Sequence, residues 1–318
     1  MIILYFFLTI LSSVLTGLFY KFGSMRQGKN PSSPALLCTI YMSFSSLYFL
    51  VAIIISNNGF SSSLSTVLCA LGGGACLAIA AYLYLVSLTC GPYTISVVLL
   101  NLSSFAVIFY AILFLNETMT ALQGFALVLM IACVCVLTIS RSKTGVSKKA
   151  NIRWIIFITL TFITNSFINL FVRMQVIYNQ NTQKNEMMFL YFMFAAITSF
   201  LIFVFTGGFG KLKFKMSPEE DITASINADS YIETKRAPIY FMSILPASIL
   251  LSISLGVNLI ASSQLVAYSS SAIQYPVCSG SSMILSALIG RFFFKEKLNL
   301  ISYIAIGVGI GVIVMLSL

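Results

Sequence analysis

The chain has no histidine in its 318 residues, which removes the commonest general base, proton shuttle and metal ligand together. Charge is scarce as well: 8% of residues are charged, against about 25% in ordinary soluble chains. Only eight carboxylates are present, and none falls in the middle of a long apolar run. A proton-coupled exporter of cations needs such a carboxylate to trade a proton for its cargo, so that class is disfavoured. A membrane-embedded transferase needs a clustered acid, base or nucleophile. The sequence offers none, and the chain reads as no enzyme, with no cofactor and no metal expected. The seven cysteines (Cys38, Cys69, Cys76, Cys90, Cys133, Cys135 and Cys278) lie in or at the ends of apolar runs. Without histidine none has zinc-finger spacing, and they read as small apolar packing residues.

What the chain has instead is apolar surface. It is 59% hydrophobic, with a mean hydropathy of +1.00. The net charge of +10 would suit nucleic acid, but the cations sit between apolar runs. They read as topology determinants and partners of lipid headgroups, with no nucleic acid expected. The N-terminus "MIILYFFLTILSSVLTGLFY" lacks a basic leader and a small-residue cleavage site, and reads as a first membrane span.

A span needs about 20 apolar residues to cross roughly 30 Å of hydrocarbon. That ruler finds ten: 2–20, 35–56, 63–88, 93–115, 119–140, 153–178, 187–206, 239–267, 271–293 and 298–317. Pro31, Pro34, Pro92, Pro218 and Pro238 are placed in connections; Pro246 and Pro276 are placed inside spans, where they kink the helix. The long polar connection 207–238 alternates Lys211, Lys213 and Lys215 with Leu212, Phe214 and Met216 at its start, a pattern suited to anionic headgroups. Sixteen of the 18 cations border odd-numbered connections, and only Arg173 and Lys184 lie on the other side. The positive-inside rule then puts both termini outside.

Two short stretches reveal an internal repeat. "FLNETMTALQG" (114–124) and "FFKEKLNLISY" (293–303) place Glu117 and Glu296 at equivalent tight turns. Earlier in each half, "TGLFYKF" (16–22) aligns with "INLFVRM" (168–174). One insertion at 207–238 reconciles the two alignments. The expected organisation is an all-α membrane protein of ten helices in two inverted five-helix repeats, 1–140 and 153–318, joined by a basic linker, 141–152. Glu117 and Glu296 are expected to cap the hairpins by accepting from free N–H groups of the next helix.

With ten spans, two repeats and these hairpin turns, the chain resembles the EamA-like branch of the drug/metabolite transporter superfamily. The stretch "SAIQYPVCSGSSMILSALIGRFFFKEKLNLISYIAIGVGIGVIVML" (271–315) carries the resemblance most strongly. Two departures stand out. Many members carry a proline about thirteen residues before each hairpin glutamate, where this chain has Ser104 and Met283. Members also usually keep both termini in the cytoplasm, opposite to the charge count. The resemblance implies a secondary transporter in a bacterial plasma membrane, moving a small-molecule substrate such as an amino acid, sugar or amine. A nucleotide-sugar or sugar-phosphate exchanger of the same fold is the alternative.

Polar residues deep in spans are costly in lipid and should face the bundle interior. Ser13, Gly17 and Lys21 form one stripe at a spacing of four, and Asn165, Asn169 and Arg173 form its counterpart. These stripes could line a cavity with cations at opposite rims, suited to a carboxylate or phosphate. Alternatively, Lys21 and Arg173 snorkel to headgroups while the amides bond neighbouring helices. Further candidates are Asn101, Ser103 and Ser104; Gln274, Tyr275 and Ser279; Tyr82 and Tyr84; and Asn258 and Gln264. Gly72, Gly73 and Gly74 should let helices approach closely. Gly307 and Gly311 make a G-x-x-x-G for internal packing or a homodimer contact.

Overall fold

A computed structural model describes residues 2–26, 32–56, 60–91, 93–103, 148–179, 183–209, 212–213, 239–268 and 271–294, with scattered positions at 110, 120–132 and 303–315. Eight helices are described: α1 (Ile2–Arg26), α2 (Ser32–Ser56), α3 (Leu64–Cys90), α4 (Tyr93–Leu102), α5 (Lys148–Asn179), α6 (Lys184–Phe205), α7 (Phe241–Tyr268) and α8 (Ser271–Phe292). Two two-residue strands, β1 (Leu212–Lys213) and β2 (Ile239–Tyr240), pair in parallel and close off the polar connection between α6 and α7. Six helices, all but α4 and α8, are long and apolar enough to cross a membrane. The chain is an all-helical, multi-pass membrane protein by that measure.

Seven of the expected spans coincide with described helices, and α4 covers the first ten residues of the fourth. The described residues at 121–132 and 303–315 are helical too, within the fifth and tenth spans. Helix ends run further than the hydropathy ruler: α1 continues through Lys21 to Arg26, and α5 starts at Lys148, inside the expected linker. Pro34, expected in a connection, lies in the first turn of α2, where its missing N–H has no helical acceptor to lose. Pro246 and Pro276 lie inside α7 and α8 as expected. Glu117, Glu296 and the middle of the 207–238 connection fall outside the described residues.

In lipid every backbone polar group must be satisfied internally, which makes helices the default for such a chain. Hydroxyls within the spans bond back to their own helix: Thr9 Oγ1 to Tyr5 O and Thr16 Oγ1 to Ser12 O, each at 2.8 Å. The polarity of the molecule is that of a lipid-solvated body. Large apolar side chains such as Ile3 and Phe205 are 85% and 86% exposed, whereas many serines and threonines are buried among the apolar side chains of the interior. Interhelical bonds join them: Thr16 to Ser254 and Ser45 to Ser252, both at 3.0 Å.

Helix pairing sets the site. α1 packs on α7 and α3 on α5; α2 packs on α6; α2 also meets α7 as α6 meets α3; α8 lies on α1 and α4, and α4 touches α5. The expected close approach at Gly72–Gly74 is present. A Cβ built on Gly74 would stand 2.4 Å from the Tyr191 carbonyl oxygen of α6, and Gly72 and Gly73 face Phe171 and Tyr191. At one end of α3, Gln183 Oε1 accepts from Ser63 N–H at 2.9 Å and from Thr66 Oγ1 at 2.7 Å. At the other end the indole N–H of Trp154, 0% exposed, donates to Ser96 Oγ at 3.0 Å and ties α5 to α4. Among the described residues, nothing lies within 4 Å of a Cβ built on Gly307 or Gly311.

Candidate functional site

The helices line a partly open central cavity of about 220 Å³. α1 supplies the longest wall: Thr9, Ser13, Thr16, Gly17 and Tyr20, a single helical face rising roughly 16 Å at 1.5 Å per residue. Asn165, Ile168 and Asn169 of α5 lie opposite, with Asn101 and Leu100 of α4. α7 adds Asn258 and Ser262, α8 adds Gln274, Cys278 and Ser279, and α3 and α6 add Tyr84 and Tyr191.

Nine of the residues singled out from the sequence, Ser13, Gly17, Tyr84, Asn101, Asn165, Asn169, Asn258, Gln274 and Ser279, are brought together here. Lys21 is not in the wall. It lies one turn beyond Ser13–Gly17, and its ammonium donates to the Leu88 carbonyl of α3 at 3.2 Å. Arg173 likewise lies one turn past Asn169 and outside the lining. The two stripes are therefore cavity-facing at mid-span, while their terminal cations are spent elsewhere. Tyr82 and Gln264 are also absent from the wall, which takes Tyr84 from α3 instead. The side chain of Tyr275, and Ser104, lie outside what the structure describes.

Most of the amides are engaged with protein. Asn258 Nδ2 reaches α1 at three points: Thr9 O at 3.0 Å, Ser12 Oγ at 3.1 Å and Ser13 Oγ at 2.7 Å. Asn165 Nδ2 donates to Ser103 Oγ. Asn101 donates to Val97 O at 3.0 Å and accepts from Ser282 at 3.1 Å. Gln274 Nε2 donates to Ser262 O at 2.9 Å. Tyr20 seals one end: its hydroxyl pairs with Tyr41 at 2.8 Å, and its ring meets Tyr84 edge-on at a centroid distance of 5.4 Å. No described wall residue carries a formal charge, and no cluster of three or more ligating side chains occurs among the described residues. The described wall presents amides, hydroxyls and aromatic faces.

Thr9, Thr16, Tyr20, Tyr191 and Ser262 are wall residues that spacing alone did not single out. Thr9 was within reach, since it precedes Ser13 by one turn on the same face. Tyr191 was not, because it depends on how closely α6 approaches Gly73 and Gly74.

No family model and no curated protein matches the chain. A solved crystal structure of another protein is similar over 98% of both chains, with a TM-score of 0.57 at 12% identity. At that identity the likeness is one of fold alone.

Proposed function

We propose that the chain is a secondary transporter with the drug/metabolite fold, moving a small polar metabolite across a cell membrane, that of a bacterium, by alternating access. The observation that carries this reading is the cavity. Five amide side chains meet at the centre of a bundle whose outer faces are apolar. Buried polar groups in a membrane are expensive and mark pathways for polar solutes.

The helix pairing supports the internal symmetry this mechanism needs. Exchange α1 with α5, α2 with α6, α3 with α7 and α4 with α8. The α1–α7 pair becomes α5–α3, α2–α7 becomes α6–α3, and α1–α8 becomes α5–α4, all of which occur. Such equivalence is what two inverted repeats around a shared site would produce. A cavity volume of about 220 Å³ falls below the range of about 300–1,000 Å³ that holds drug-sized ligands. With no cation among the described wall residues to meet phosphate, this favours a small metabolite over a nucleotide sugar.

Cys278, which lines the cavity, provides the test. With the other six cysteines replaced, a small impermeant thiol reagent should label Cys278 from either face of a sealed membrane. Labelling from one face only, under every condition of added solute, would refute alternating access.

A further inference from the structure

The five wall amides divide sharply by what they bond. Asn258, Asn165 and Asn101 spend their N–H groups on protein acceptors. Two atoms are left over, both buried and without a partner: Asn169 Nδ2 and Gln274 Oε1. Gln274 is only 2% exposed, and its orientation is dictated by Ser262, whose carbonyl can only accept and so draws the amide nitrogen toward it. Buried polar atoms are nearly always paired, and an orphan calls for an explanation. Here one orphan is a donor and the other an acceptor, on two different helices of the same cavity wall, α5 and α8.

Charge is the second constraint. No described wall residue is ionised, and Lys21, the cation nearest along α1, is held by the Leu88 carbonyl. The wall residues of α1, α3, α5 and α7 lie well inside continuous helices, so these four offer no helix terminus to an ion. A bound ion would lose its water without gaining a counter-charge from any described wall residue, which is heavily unfavourable.

We infer that the cavity takes an uncharged molecule presenting an acceptor to Asn169 and a donor to Gln274, as a primary carboxamide, a lactam or a nucleobase edge does. Tyr20, Tyr84 and Tyr191 receive its apolar body. The inference rests on the cavity being the transport site, but its ligand chemistry is measurable without transport.

The test uses the full-length protein in lipid nanodiscs at neutral pH, with thermal shift and direct binding. Benzamide, nicotinamide and uracil are the neutral probes; benzoate, nicotinate and benzylamine are ions of similar size. A neutral probe should raise Tm in a dose-dependent way, and the ions should not. Asn169→Leu should weaken that binding tenfold or more without lowering the unliganded Tm, because Asn169 has no protein hydrogen bond to lose. Gln274→Leu should weaken it similarly, read against its own unliganded Tm. Three results overturn the inference: an ion binding as tightly as its neutral counterpart, full affinity in Asn169→Leu, or no binding by any neutral probe. Flux in proteoliposomes separates the two readings. A neutral probe bound but never moved would count against transport alone, whereas an ionic solute that is moved would count against the ligand class alone.

Discussion

Asn258 and Asn169 sit on the same cavity and have opposite consequences for stability. Asn258 Nδ2 serves three acceptors on α1, whereas Asn169 Nδ2 serves none. Asn258→Leu strips Ser13 and the Thr9 carbonyl of a donor, and should cost about 1–3 kcal/mol, read as a lowered unfolding midpoint. Asn169→Leu, by contrast, removes an unsatisfied group and should leave that midpoint unchanged or raised. Equal losses in the two variants would contradict the bonding described here. The shared face of each stripe was legible because side chains four apart share a helical face, and Ser13–Gly17 and Asn165–Asn169 do lie in one cavity wall. Carried one turn further, the same rule reaches Lys21 and Arg173, which lie outside that wall. Periodicity gives direction around a helix and says nothing about where the cavity ends along it. Lys21 then finds a carbonyl on α3, a partner that only tertiary structure supplies.

Among the elements, α3 is the most constrained, because it packs on both α5 and α6. Gly74 sets its distance from α6, since an added Cβ would meet the Tyr191 carbonyl and, at 3.1 Å, the Ala195 nitrogen. Backbone cannot rotate aside as a side chain can. Gly74→Ala should therefore exceed the cost of ordinary overpacking, about 1–3 kcal/mol, and displace Tyr191 from the cavity. A variant with wild-type melting and wild-type ligand binding would show that α6 does not depend on this contact. The spans themselves were readable from apolar runs between turn signals. Their ends were not, because the hydropathy ruler measures hydrocarbon thickness, while α1 and α5 continue as helix through charged residues at Lys21–Arg26 and Lys148–Arg153. Strands β1 and β2 are two residues each; the alternation at Lys211–Met216 reads as a headgroup contact, and Ile239–Tyr240 as the start of a span.

At the scale of the whole molecule, α3 spans roughly 40 Å at 1.5 Å per residue, with a different tether at each end. Gln183 holds the Ser63–Thr66 end to the start of α6. Trp154 binds Ser96 of α4, just past the opposite end. In a rocking mechanism each tether restrains opening on its own face. Gln183→Ala should raise Cys278 labelling several-fold from the Ser63 face and little from the other; equal rates from that face before and after substitution would exclude this role. Trp154 has a separate value. It is the one tryptophan in the sequence, fully enclosed and bonded to a hydroxyl across a helix boundary. Movement of α5 against α4 would trade that hydroxyl for water and shift the indole emission to longer wavelength. The protein thus carries its own optical gauge of movement between α4 and α5, readable in wild-type material with no label attached.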